Sequence, residues 1–131
     1  MSELLDFLIE NPVNNITDKV IVSERLKDKP FTIRAMTGDE FFEYQKSATK
    51  YKKGQKVEFD NRLFHITIVA NQTVEPNFKD AESIYRAGVQ TSAQFIEKVL
   101  LSGEIAALAD KITFLSGFDQ EIDDLIDEAK N

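Results

Sequence analysis

The sequence predicts an α+β domain that is mostly α-helical, with about six helices and one β-hairpin leading into a capped helix. The clearest sign is a change of period. Phe31, Ile33 and Ala35 alternate with Thr32, Arg34 and Met36 as a half-buried strand requires, and at Thr37 this pattern gives way to helical spacing. Elsewhere most apolar residues recur at i, i+3, i+4 and i+7 between capping and stop signals, so helices must supply most of the core. No internal repeat or low-complexity tract divides the chain, and residues 1–131 read as a single domain.

Taken in order, Ser2 can cap a short, greasy helix over Glu3 to Glu10, with Leu4, Leu5, Leu8 and Ile9 apolar and Pro12 closing it. Asn14 to Asp18 reads as a polar turn, and the β-branched run Val20, Ile21 and Val22 makes a strand of Lys19 to Leu26. Lys27, Asp28 and Lys29 separate it from the second strand at Pro30, giving a hairpin whose turn lacks an Asn-Gly or Asp-Gly signal. Thr37 and Glu40 form a capping box, and Met36 can pack on Phe41 as a hydrophobic staple. Phe41, Tyr44, Gln45 and Ala48 then line one face of a helix over residues 38–51, which Gly54 ends. Lys46, Lys50, Lys52, Lys53 and Lys56, with Tyr44 and Tyr51 interleaved, read as a solvated helix end and a Lys-rich loop in preference to an RNA-binding patch.

Val57 to Ala70 is apolar around most of a circle. Periodicity alone would allow a buried strand there, but Asp60 is a good N-cap and favours a central helix. Val74 to Phe78 is a connector, and Asp80 caps a brief helix over Ala81 to Ala87 that Gly88 can end in the left-handed conformation. Thr91 with Gln94 is a second capping box, opening a helix with Phe95, Ile96, Val99 and Leu100 near one face. Ser102 and Gly103 break the path before a helix from Glu104 to Leu115, which Ser116-Gly117 stops. The tail from Asp119 to Asn131 places Ile122, Leu125, Ile126 and Ala129 on one stripe and carboxylates on most of the remainder.

Composition narrows the chemistry. With no cysteine there is no disulfide framework and no thiol nucleophile, which fits a reducing, cytoplasmic setting. The acidic, interrupted N-terminal run lacks the basic flank of a signal peptide, and no apolar stretch approaches the roughly 20 residues of a bilayer span, so a soluble protein without a membrane partner is expected. The net charge of −7 lies wholly in residues 60–131, where thirteen acidic side chains face six basic ones, while residues 1–59 balance at ten of each. That surface argues against nucleic acid as the main partner.

His65 is the sole histidine and sits between Phe64 and Ile66, so neither a zinc site nor a Ser-His-Asp triad can be assembled in the usual way, and His65 reads as a core-edge residue. Phosphate-binding glycine loops and a calcium loop are absent from the sequence. The carboxylate pairs Asp39/Glu40 and Asp123/Asp124 suit a helix start and a solvated helix face. We therefore expect no catalytic residue, no metal and no cofactor. What rises above this background is apolar surface at the two ends, carried by Leu4, Leu5 and Leu8 and by Ile122, Leu125 and Ile126. Helices this short are marginal alone, so these stripes either dock on the protein's own core or meet a partner or a second copy.

Leu4-Leu5-Asp6-Phe7-Leu8, the passage Phe31 to Tyr44, Val74-Glu75-Pro76-Asn77, Gly88-Val89, Leu101-Ser102-Gly103-Glu104 and Leu115-Ser116-Gly117-Phe118 occur in an order and spacing that resemble the XkdN-like tail assembly chaperones of contractile-tailed phages and prophages. The likeness spans the full length, and none of its motifs is catalytic. It implies a non-enzymatic protein of the host cytoplasm that holds tape-measure and tail-tube proteins competent for assembly and is absent from the finished virion. An acidic prophage adaptor, or a nucleic-acid mimic that inhibits a host DNA-binding protein, is the alternative for a chain of this charge.

Overall fold

The computed structural model describes residues 2–54 and 56–118. Among them are six α-helices, α1 (Glu3–Glu10), α2 (Gly38–Ala48), α3 (Asn61–Gln72), α4 (Ala81–Arg86), α5 (Ser92–Val99) and α6 (Ser102–Leu115). The strands are β1 (Thr17–Val20), β2 (Phe31–Arg34), β3 (Thr49–Lys52), β4 (Lys56–Phe59) and β5 (Thr73–Glu75). The expected mostly helical α+β class is the observed one. The tail stripe of Ile122, Leu125 and Ile126 lies outside the described residues.

β2 is the middle strand of an antiparallel sheet ordered β1-β2-β5, with Thr17 opposite Arg34 and Val20 opposite Phe31. Its alternation behaves as the sequence demands: Phe31, Ile33 and Ala35 are buried, and Thr32 and Arg34 are half-buried. Met36, expected on the outer side, is buried as well, because the chain leaves the strand there and turns into α2. α3 crosses the centre of the molecule and packs on α2, α5 and α6, while α6 also lies against β1 and β2. Ile33, Ile66, Ile68, Val69, Ile96, Leu108 and Ile112 form the middle of the resulting core. Each such side chain contributes about 1.5–3 kcal/mol on full burial.

The caps lie where the sequence puts them. Thr37 Oγ1 accepts from Glu40 N at 3.0 Å while Glu40 Oε1 accepts from Thr37 N at 2.9 Å, and Thr91 with Gln94 repeats the arrangement. Asp60 caps α3 through Leu63 N, and Asp80 caps α4 through Ser83 N. Gly88 ends α4 at φ +77°, where Gly88 N donates to Tyr85 O and Val89 N to Ile84 O. A side chain with a Cβ would be strained in that conformation.

Several boundaries differ from expectation. The first strand spans Thr17–Val20 and stops before Ile21, because Val22 turns inward to the core and Ser23 and Arg25 are drawn across to α6. A 3-10 turn at Glu24–Leu26 fills the connection, so β1 and β2 pair without a tight hairpin turn. α2 ends at Ala48, and the expected Lys-rich loop is instead a second hairpin, β3–β4, with Gly54 at φ +87° in its turn. Part of the expected connector is β5, which pairs with β2 and is followed by a cis Glu75–Pro76 bond. α6 begins at Ser102, so Ser102 and Gly103 form its first turn and do not break the path.

Two buried polar side chains explain much of this packing. Glu104, 2 per cent exposed, accepts from Arg25 Nη2 at 2.5 Å, Arg25 Nε at 2.7 Å, Ser23 Oγ at 2.5 Å and Leu101 N at 2.8 Å. Hydrogen bonds from the Arg25 guanidinium pull its carboxyl down to about 2 against the opposing effect of burial. Gln72, fully buried, donates to Arg34 O and Ala35 O and accepts from Tyr44 Oη at 2.6 Å, joining β2, α2 and α3. Burial, helped by Glu40, pushes the Tyr44 hydroxyl up to about 12.

Thr37→Ala should cost about 1 kcal/mol through loss of the N-cap, read as a lower urea midpoint. Because the folded carboxyl of Glu104 lies below its unfolded value, its contribution is complete above about pH 4.5 and is lost as pH falls towards 2. Glu104→Gln should therefore lower stability at pH 7 by on the order of 2 kcal/mol. The variant should also lose less stability than the parent between pH 5 and pH 2. Parallel urea titrations at pH 7, 5 and 2 check both statements.

Candidate docking surface

α1 is held at its start by Ser2 Oγ, which accepts from Leu4 N at 3.2 Å and Leu5 N at 3.4 Å, and at its end by Asn11, whose backbone and side-chain amides both donate to Phe7 O. At 100° per residue, Leu4, Leu5, Phe7, Leu8 and Ile9 occupy a continuous arc, and Glu3, Asp6 and Glu10 share the remainder. Such a helix ordinarily turns its arc to the core. Here every one of the five is between 57 and 77 per cent exposed, and α1 contributes no buried residue. The expected Leu4, Leu5 and Leu8 thus stand in solvent on one helix. Phe7, one turn on from Leu4, and Ile9 extend their surface.

The sum is an apolar patch rimmed by three carboxylates, with no basic residue in the helix. Exposed apolar surface of this kind marks an interaction site, and an acidic rim favours a partner with basic flanks.

Away from α1, a concavity of about 550 Å³ lies between β1 and α6, lined by Asp18, Val20, Asp110, Lys111, Phe114 and Leu115. A groove of about 300 Å³ between α3, α5 and α6 is lined by Arg62, His65, Glu97, Leu100 and Ile105. His65 is half-buried at its edge, as a core-edge reading requires, and Arg62 pairs with Glu97 across it. Among the described residues the His65 ring has no hydrogen-bond partner, and no group of three or more potential ligands could hold a metal ion. Another groove, of about 320 Å³, lies beside Met36, Phe41, Phe42, Ser116 and Phe118. Met36 and Phe41 share its wall, consistent with the expected staple. No described helix is long and apolar enough to cross a membrane.

Comparison with known proteins identifies the family of this fold. The sequence profile described as phage XkdN-like tail assembly chaperone protein, TAC, matches residues 4–130. The chain is 32 per cent identical over 123 residues to the uncharacterised protein YqbN of Bacillus subtilis (strain 168), covering 86 per cent of this chain and 83 per cent of that one. It is 30 per cent identical over 125 residues, with the same coverage, to the phage-like element PBSX protein XkdN of the same organism. The crystal structure of YqbN superposes with a TM-score of 0.68 at 27 per cent identity, covering 91 per cent of this chain and 99 per cent of that one. A match that runs from the exposed α1 through the whole described fold shows that the chain belongs to the XkdN-like phage tail assembly chaperones.

Proposed function

We propose that this chaperone holds tape-measure and tail-tube proteins competent for assembly in the host cytoplasm, and that Leu4, Leu5 and Leu8 on α1 cover apolar helical segments of those clients. The observation that carries the reading is the apolar arc of α1, left in water while α2, α3, α5 and α6 each place residues in the core. The client segment that fits is amphipathic and flanked by Lys or Arg, because the rim it meets holds Glu3, Asp6 and Glu10. Its apolar face gains from leaving water, and the net charge of −7 keeps the complex dispersed. Release requires no ATP: polymerising tube subunits, or coating of the tape measure, compete for the same client surface.

Leu4→Ser, Leu5→Ser and Leu8→Ser in one chain test this directly. All three are exposed, so the triple variant should keep a melting curve near that of the parent. Co-expressed with the neighbouring tail genes, it should lose co-purification with tape-measure or tube protein by at least tenfold. Undiminished co-purification, or a variant that melts far lower as a monomer, would overturn the role of α1.

A further inference from the structure

The concavity between β1 and α6 is larger than the grooves beside His65 and Phe42, and strand and helix each give one face to it. Asp18 and Val20, two apart on β1, share a face of the strand. Asp110 with Phe114, and Lys111 with Leu115, stand one turn apart on α6 and share a face of the helix. Val20 and Leu115 are half-buried against the core and form the floor, whereas Phe114 is 61 per cent exposed beside them. Each wall also carries a carboxylate, Asp18 on the strand and Asp110 on the helix. Both are exposed, and neither pairs with a cation among the described residues. Lys111 is the one cation of the lining and likewise meets no carboxylate there.

An apolar floor bordered by two unpaired carboxylates fits a segment that brings apolar side chains and cations to the same side. Of the chain's own exposed apolar elements, neither α1 nor the β3–β4 hairpin has that composition. α1 holds three carboxylates and no basic residue, so its entry would set like charges near Asp18 and Asp110. The hairpin places Tyr51 and Val57 on one face and Lys50, Lys52 and Lys56 on the other, so it cannot present both to one groove. A foreign segment is therefore the occupant that the charges select. We propose that the β1–α6 groove is a docking site, separate from α1, for an amphipathic helical segment of a client protein, with apolar residues on Val20, Phe114 and Leu115 and Lys or Arg at Asp18 and Asp110. An acidic residue of the same segment meets Lys111 and fixes the register of the helix in the groove. The nature of the partner rests on the client-holding role proposed above, while the place of binding rests on the groove alone.

Titrating the 15N-labelled full chain with a synthetic helical peptide that carries Leu at i, i+3, i+4 and i+7 and Lys on both flanks of that stripe tests the assignment. Amide signals of Asp18 to Val20 and of Asp110 to Leu115 should shift, and the same peptide with Glu in place of Lys should leave them unmoved. Asp18→Lys with Asp110→Lys, at two exposed positions, should weaken binding read at these amides by about tenfold and remove its salt dependence. Phe114→Ser should weaken it by a similar factor, and the shifts should persist in the chain carrying Leu4→Ser, Leu5→Ser and Leu8→Ser. Shifts confined to α1, equal shifts with both peptides, no shift with either, or undiminished binding in the groove variants would each overturn the proposal. Movement of these signals when the protein alone is concentrated would transfer the groove to a second copy and overturn it as well. The client-holding role is judged separately, by co-purification of the α1 triple variant, so the two fail independently.

Discussion

A helix that is apolar around most of its circumference cannot remain in water, and α3 imposes that condition on everything near it. Ile66, Ile68, Val69 and Ala70 are all buried, although they point in different directions from one axis. Sequestering them takes α2, α5 and α6 on separate sides. The sheet finishes the enclosure beneath α6, so β1 and β2 are placed by a demand that originates in α3. Removing so much apolar surface from water is what stabilises the domain. α1, which precedes this arrangement, contributes no buried residue to it and keeps its arc outside.

Enclosure of this kind requires the chain between β1 and β2 to return to α6, and Glu104 is where it fastens. A carboxylate excluded from water must be met by donors, and Arg25 and Ser23 come from the far side of the sequence to supply them. The arginine remains about half exposed, so its own charge stays hydrated while its guanidinium serves the buried partner. Gln72 does the corresponding work at the other end of α3, satisfying two carbonyls where β2 gives way to α2. Polar contacts therefore fix the geometry that apolar burial alone would leave loosely specified.

Features whose causes are local were legible in the sequence. The capping boxes at Thr37 and Thr91, the caps at Asp60 and Asp80 and the left-handed glycine after α4 depend on residues within four positions of one another, and each stands where expected. Features whose causes are distant were not. Glu104 reads in sequence as an ordinary first-turn acid, because the arginine that buries it lies 79 residues away. The early end of β1 has the same origin, since Val22 and Arg25 answer to the core and not to β propensity. Tyr51 and Val57 are good strand formers flanking a glycine, but the lysines between them masked a hairpin that owes little to burial. For the candidate docking surface, Leu4, Leu5 and Leu8 could be named from spacing, whereas their standing in water depends on how the other elements close around α3.

The brevity of the sheet carries a consequence for a protein of this exposure. β1 and β5 are its two edges, and an open edge offers an unsatisfied row of amides and carbonyls on which foreign strands can add without limit. Four residues in β1, two of them Asp18 and Lys19, and three in β5, with Pro76 immediately after, leave almost no such row. Strand addition to this sheet is thereby disfavoured, and under the proposed role attachment falls to side-chain surface, which has a finite stoichiometry. Under the proposed role, a molecule that meets its partner through a helix and is blunt along this sheet grips without seeding a fibre, and can let go.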